Sequence, residues 1–265
     1  MQFISPISWV GGKTKADKFI ASFFPKKIGK YIECFAGSCA VGLRLLIENR
    51  ITGYTIFNDL NQDLITFWND VKNNNIINQY PKFKTEEEAK EIYSTIPKKN
   101  KLGWQMLLQN RLSFSGKENS TFSTTRYNLK YFDCLTRVKF CEELFKQNDV
   151  TFTNLDYKKI IALNDSSETL FYLDPPYFIP NIKDLYKHYE FDFNELLAIL
   201  EKVKGKFILS LNDCDYTRNL FKQFHIITWE KRYDFRGKNK NKLGKELLIT
   251  NFVTKIKYKQ ITLFN

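Results

Sequence analysis

Tyr31-Ile32-Glu33-Cys34-Phe35-Ala36-Gly37-Ser38-Cys39-Ala40-Val41-Gly42 is the stretch on which the fold turns. Its first residues form an apolar, strand-like run. Gly37 then permits a tight turn, and residues 40–49 carry apolar Val41, Leu43, Leu45, Leu46 and Ile47, as a helix would. The pattern repeats at once. Residues 54–57 read as a second strand, closed by Asn58-Asp59, and 64–71 as a second helix. Strands alternating with helices in this way predict a parallel sheet, because parallel neighbours need a crossover connection. Toward the N-terminus, residues 16–24 predict a short amphipathic helix with Phe19, Ile20, Phe23 and Phe24 on one side, stopped by Pro25. Residues 3–13 read as an extended arm ending in Trp9-Val10-Gly11-Gly12-Lys13.

The middle of the chain differs. Residues 72–103 are rich in Lys, Asn and Glu, with helices expected at 86–93 and 102–108. Residues 110–128 are polar and lack a clear period. The α/β alternation resumes near Val150-Thr151-Phe152. It continues through a strand at 170–173, a helix at 193–203, a strand at 207–211 and a helix at 216–224, and it closes with two strands, 226–233 and 246–252, joined by a loop. This organisation predicts one α/β domain made of 1–71 and 143–265, with 72–142 as an inserted helical and loop region.

Asp174-Pro175-Pro176-Tyr177 follows the apolar run Leu170-Phe171-Tyr172-Leu173. Proline lacks the N–H and fixes φ, so the chain must leave the strand here. A carboxylate, two proline carbonyls and an aromatic ring are then presented at the strand's C-terminal end, where open α/β sheets bind ligands. That set suits chemistry at the exocyclic amino group of adenine, whose lone pair is delocalised into the ring. A carboxylate and a backbone carbonyl accept its two N–H bonds and favour the charge that develops on transfer, while a tyrosine stacks on the base. On the cofactor side, Gly37 lets the backbone approach a ligand ahead of a helix N-terminus, and Asp59 is placed to bind ribose hydroxyls. Gly-x-Gly-x-x-Gly is absent. A phosphate-free nucleoside such as S-adenosylmethionine therefore fits better than a dinucleotide, and taken alone the turn is equally consistent with a structural β-α connection.

Bulk properties bound the reading. The chain has 265 residues, 43% of them hydrophobic, and a net charge of +12. A protein this basic suits a polyanionic partner, although the abundance of Lys, Asn, Ile and Phe also fits a compositional bias. The five cysteines lack C-x-x-C pairs and only two histidines are present, so no metal site is expected. Free thiols suit a reducing cytoplasm. The N-terminal residues do not read as a signal peptide, and no apolar run approaches membrane-spanning length.

Here the chain resembles the Dam-type N6-adenine DNA methyltransferases, over nearly its whole length and in family order. Ser8 to Lys13 resembles the W-x-G-G-K motif, Glu33 to Val41 the P-F-x-G-x-G-x-V cofactor turn, and Asn58 to Leu64 the D-x-N-x-x-L-I segment. Asn110-Arg111 resembles the opening of the target-recognition region, and Asp174 to Tyr177 the catalytic D-P-P-Y. Leu209 to Asn212 and Glu246 to Phe252 resemble the late motifs. Two positions depart: Cys34 replaces the proline and Cys39 the second glycine of the turn. The resemblance implies a Rossmann-like, S-adenosylmethionine-dependent methyltransferase sheet, with a small helical target-recognition domain inserted at 72–142. It implies cofactor contacts from Trp9, Lys13, Asp59 and Asp174, with Phe35 and Gly37 lining the pocket. Asp156 matches an acidic position near the cofactor adenine, or else is a loop cap.

The same resemblance implies duplex DNA as partner. Phe114 matches an aromatic that inserts beside the flipped base, with a core phenylalanine as the alternative. Arg111 opens the recognition region, and Arg126 matches an arginine that reads a base or phosphate. The second recognition arginine of the GATC enzymes has no counterpart here. Residues 231–245 hold Lys231, Arg232, Arg236, Lys238, Lys240, Lys242 and Lys245 with Asp234 as the one interior acid before Glu246. This basic loop suits phosphate contacts without sequence readout, or is an ordinary solvated loop. The expected activity is site-specific adenine-N6 methylation of DNA by a monomer or weak dimer, for which a cognate restriction endonuclease is one conceivable counterpart. RNA adenine methylation, protein glutamine methylation and non-catalytic DNA binding are the alternatives. The Asp at the head of the tetrapeptide and the inserted middle region argue against the glutamine enzymes, which carry Asn there.

Overall fold

The computed structural model describes residues 5–116, 118–127, 132–177, 191–233 and 242–254. The architecture is mixed α/β. The chain divides into two compact units, Met1–Tyr157 and Lys158–Asn265.

In the first unit, β1 (Lys30–Glu33), β2 (Thr55–Asn58) and β3 (Val150–Thr153) run parallel in the order β3-β2-β1. Tyr31 lies opposite Thr55, and Phe57 opposite Phe152. A short helix α1 (Asp17–Ser22) precedes β1, α2 (Ala40–Ile47) connects β1 to β2, and α3 (Gln62–Lys72) follows β2. α3 starts where it does because the Asn61 side chain accepts the Leu64 N–H at 3.0 Å. Its Leu64, Ile65, Phe67, Trp68 and Val71 are buried. Trp68 stacks on Phe152, which also meets Phe57 and Phe145, so aromatic rings fill the layer between helices and strands.

The intervening residues form α4 (Ile76–Gln79), α5 (Glu86–Ser94), α6 (Gly103–Leu112), a 3₁₀ turn (Phe114–Gly116), α7 (Thr124–Tyr127) and α8 (Phe132–Lys146). α6 and α8 both pack on α3. The Lys101 ammonium meets Asp63 of α3 at 2.9 Å in a buried pair. The sequence pattern did not announce α4 or α8, and position 142 falls inside α8. That helix buries Cys134, Val138, Cys141, Leu144 and Phe145. Its stripe is easily missed because charged residues are interspersed along it and exposed Phe140 lies off it.

In the second unit, the order is β4 (Thr169–Leu173), β5 (Lys206–Asn212), β7 (Lys242–Thr250) and β6 (His225–Tyr233). β4 and β5 are parallel, while β7 runs antiparallel to both β5 and β6. Every residue of β4 is buried, as expected of a strand covered on both faces. The helices are α9 (Tyr157–Asn164), α10 (Phe193–Leu200) and α11 (Asp215–Leu220), and α9 was not anticipated. Asn251 takes over where β7 ends: its carbonyl oxygen accepts the Phe207 N–H at 3.0 Å and its amide donates to Gly205 O at 2.8 Å. The late-motif Asn251 is therefore a strand-end clamp.

Close approach of α2 to the sheet requires Gly42. A Cβ there would lie 2.6 Å from Glu33 Oε2, the carboxylate that accepts the Gly42 N–H at 3.0 Å and the Tyr31 hydroxyl at 2.9 Å. Gly42→Ala should therefore destabilise the protein by about 1–3 kcal/mol through overpacking. A urea midpoint equal to that of the wild type would show that α2 shifts freely.

Candidate functional site

The C-terminal ends of β1, β2 and β3 are tied together by one buried side chain, Asn58. Its amide donates to Cys34 O at 3.0 Å and Leu155 O at 2.9 Å. Its carbonyl oxygen accepts the Thr153 hydroxyl at 2.8 Å and the Leu155 N–H at 3.0 Å. The next residue, Asp59, is thereby held at the strand ends, with Asn154 donating to its backbone carbonyl at 2.8 Å.

The Asp59 carboxylate accepts the Gly37 N–H at 2.9 Å through one oxygen and the Asn61 N–H at 2.9 Å through the other. Gly37 has φ +48, and a Cβ there would sit 2.8 Å from Cδ1 of the Trp9 indole. The turn thus leaves room only for glycine against Trp9, and the buried indole of Trp68 donates to the Gly37 carbonyl at 3.0 Å. Trp9, Gly37 and Asp59 form one cluster. Lys13 is buried and donates to Gly11 O at 3.1 Å within the same arm. The Phe35 ring lies 5.3 Å from that of Tyr157, next in sequence to the exposed Asp156. Cys39 occupies the left-handed region, φ +53, at the N-cap of α2, and burial pushes its thiol and that of Cys34 well up, so both stay protonated.

Burial holds the Asp59 carboxyl above its ordinary value of 3.8. The N–H groups of Asn61 and Gly37 pull it down, and the nearby Glu118 carboxylate pushes it further up. Each carboxylate oxygen thus has a backbone N–H donor, and burial is what makes the ionised form costly. The Gly37 N–H is already committed to Asp59, so the turn does not offer the amide nest that a pyrophosphate requires. Hydroxyl donors from a phosphate-free nucleoside fit the site. S-adenosylmethionine has that character.

In the helical region, Asn110 is buried and clasps the N-terminal arm. It accepts the Ser8 N–H at 2.9 Å and donates to Ser8 O at 2.6 Å and to Gly116 O at 3.3 Å. Phe114, on the loop that follows, is 64% exposed, which removes the core alternative. A Cβ on Gly116 would lie 2.7 Å from an Arg126 guanidinium nitrogen, so Arg126 covers this loop. Arg111 and Arg126 are both half-buried, and both are shifted down by burial, with Arg111 adding to the shift at Arg126.

In the second unit, β4 ends at Leu173 and Asp174 to Tyr177 have no regular structure. Asp174 and Tyr177 are half-buried, Pro175 is buried and Pro176 exposed. Leu173 pairs with Leu209, so Asp174 leaves the sheet beside the fully buried Ser210. Glu246 is fully buried opposite Asn212. Arg236, Lys238 and Lys240 lie outside the described residues, and Lys242 opens β7 opposite Tyr233.

The pattern of residues missed Asn58 as the hub, and it missed Asn61 and Glu118, which meet at 3.0 Å. The Asn61 cap was detectable, since Asn before an apolar periodic run signals a helix start. The Glu118 contact joins residues 57 apart in sequence and leaves no local trace.

The family model for D12 class N6 adenine-specific DNA methyltransferases matches residues 9–235. The chain belongs to this family. Among curated proteins, it is 26% identical to modification methylase StsI of Streptococcus sanguinis, over 95% of this chain and 43% of that protein. It is 24% identical to type II methyltransferase M.FokI of Planomicrobium okeanokoites, over 94% of this chain and 43% of that one. The chain thus spans less than half the length of these relatives. Among solved structures, a putative methyltransferase of Escherichia coli aligns with TM-score 0.40 and 10% identity, covering 90% of this chain and 88% of that one. Among the described residues, no cluster suits a metal ion, and no helix is long and apolar enough to cross a membrane.

Because the folded-state pKa of Asp59 is raised, its proton is held more tightly than in the unfolded chain. The ionised form costs the folded protein stability, and that cost is relieved as pH falls through the raised value. Binding of ribose hydroxyls favours the ionised form, so S-adenosylmethionine affinity should fall with pH, starting above the ordinary carboxylate range. Asp59→Ala should weaken binding at neutral pH roughly 10- to 150-fold, the loss of a charge-assisted bond of about 1.5–3 kcal/mol, and should flatten the pH dependence. Calorimetry giving unchanged affinity in the variant would place Asp59 outside the pocket.

Proposed function

We propose that this chain is a site-specific methyltransferase that modifies N6 of an adenine flipped out of duplex DNA, with S-adenosylmethionine as donor. The placement of Asp174-Pro175-Pro176-Tyr177 at the end of buried β4 carries the reading, in a chain that its family model covers from residue 9 to 235. The bound cofactor supplies an electrophilic methyl group on a sulfonium. Asp59 takes its ribose, Trp9, Gly37 and Phe35 line its site, and Lys13 and Asp156 lie at its edges.

The target amino group is a weak nucleophile engaged in the base pair, so the base must leave the stack. Asp174 and the Pro175 carbonyl accept hydrogen bonds from the two N6 N–H groups, which raises density on nitrogen and meets the positive charge that develops there, one proton being lost once the methyl is in place. Pro176 stiffens the turn so that these acceptors are fixed before the base arrives, and Tyr177 stacks on the base. Holding the partners in place supplies much of the acceleration.

Residues 72–142 are the recognition region of this scheme. Phe114, exposed on its loop, fills the gap left by the extruded base, and Arg111 and Arg126 contact base or phosphate. Arg236, Lys238, Lys240 and Lys242 hold the DNA backbone. The relatives' names are those of modification enzymes, so a cognate restriction endonuclease acting on the same site is the functional counterpart. The setting is a cytoplasm and the acting species a monomer or weak dimer.

Incubation with tritiated S-adenosylmethionine and duplex DNA, RNA or protein should label the DNA alone, at adenine N6. Asp174→Ala should lower the transfer rate by about 10²–10³, and a variant keeping more than about a tenth of the rate would exclude the role. Neutralising Lys238, Lys240 and Lys242 together should weaken target and non-target duplexes equally and reduce the salt slope by up to about two to three. Phe114→Ala should lower the rate more than the affinity, and undiminished 2-aminopurine extrusion would exclude insertion.

A further inference from the structure

The loop that carries Phe114 is fastened at both ends to the cofactor cluster. At its base, Asn110 makes two hydrogen bonds to Ser8, the residue before Trp9, and a third to Gly116. Its stem is closed by a bridge between Ser113 and Phe122 and by the Phe114 N–H donating to Thr121 O at 2.8 Å. At its tip, Glu118 accepts the Asn61 amide at 3.0 Å, and the Asn61 N–H donates to Asp59. A single residue therefore separates the recognition loop from the ribose-binding carboxylate.

We propose that Glu118 is a positioning residue that couples cofactor binding to DNA binding, by latching the Phe114 loop to Asn61 beside Asp59. This rests on the DNA methyltransferase reading above. The physical basis is a conflict of like charges. Glu118 and Asp59 are carboxylates held near each other through Asn61, and the charge of Glu118 makes the ionised form of the buried Asp59 harder to keep. Without cofactor the latch is opposed. A cationic cofactor whose hydroxyls donate to Asp59 relieves the opposition, so the latch closes more firmly and the loop presents Phe114 in one place. DNA that holds the loop in that place must, by linkage, tighten the cofactor by the same factor.

The test is equilibrium binding of S-adenosylmethionine and of S-adenosylhomocysteine, whose sulfur is neutral. Each is measured with and without a saturating 30-base-pair duplex containing the site mapped by methylation; the ternary S-adenosylmethionine measurement uses a duplex already methylated there. The wild type should bind S-adenosylmethionine at least about fivefold more tightly with DNA than without, within the usual range of coupling, and S-adenosylhomocysteine with a smaller factor. Glu118→Gln keeps an acceptor for Asn61 but removes the charge. It should raise cofactor affinity in the absence of DNA and bring the coupling factor to within about twofold of unity. Asn61→Ser keeps a helix cap but cannot reach Glu118, and it should abolish the coupling from the other side. Folding of both is checked by their retained binding of cofactor.

A wild type that methylates DNA with no coupling would overturn the latch and leave the proposed function intact. Coupling undiminished in both variants would also overturn it. Absence of DNA methylation by the wild type would overturn the functional reading, and the latch with it.

Discussion

The hydrogen bond from the Gly37 amide to the Asp59 carboxylate joins the turn after β1 to the end of β2, and much of the first unit is arranged to hold it. Gly37 must have a positive φ and no side chain because Trp9 lies against it. Trp68 reaches from α3 to fix the Gly37 carbonyl. Asn58 sets the height at which Asp59 leaves the sheet by bonding to the segments on either side. Asn61 both caps α3 and donates to Asp59. An acid held this way is kept by contacts that each serve the fold as well, so the position of Asp59 comes with the sheet.

The cost of the arrangement is electrostatic. Asp59 is buried enough that its carboxyl is shifted up, and a second carboxylate, Glu118, stands close by. No lysine or arginine meets Asp59 in the contacts described, although the chain carries a net charge of +12. A cation there would neutralise the carboxylate and occupy its free lone pairs. Leaving Asp59 with backbone N–H donors alone keeps it receptive to hydroxyl groups. The basic residues are spent elsewhere, including the half-buried Arg111 and Arg126 beside the Phe114 loop.

How much of this was legible in the sequence depends on the range of the contacts. The β-α-β-α opening was readable because each element declares itself over a few residues, and strand and helix bounds came out within two or three positions. Asp174 to Tyr177 was readable because two prolines force the chain out of the strand. α8 was not, since its buried stripe through Cys134, Val138, Cys141 and Phe145 is interrupted by charged residues such as Arg137, Lys139 and Glu143. The exposure of Phe114 was undecidable from composition, because a phenylalanine among polar residues suits a core as well as a loop. Asn58, Asn110 and Glu118 act through partners far along the chain, and a polar residue's partner has no period to reveal it.

Cys39 shows why motif spelling and backbone demand should be separated. The resemblance places a glycine at this position, and the backbone keeps the left-handed φ of +53 that a glycine would supply. An L-residue there is strained by about 1–3 kcal/mol. The strain is offset locally: Cys39 is fully buried, its N–H reaches Ala36 O at 2.6 Å, and its carbonyl accepts the Leu43 N–H that starts α2. The turn's geometry is fixed by what surrounds it, by Trp9 on one side and the start of α2 on the other, so a side chain small enough to bury is tolerated. Gly37 has no such latitude, because its missing Cβ is the space that Trp9 occupies. The two positions look equivalent as motif glycines, but one is held by conformation alone and the other by conformation and volume together, which is why only the second is still glycine here.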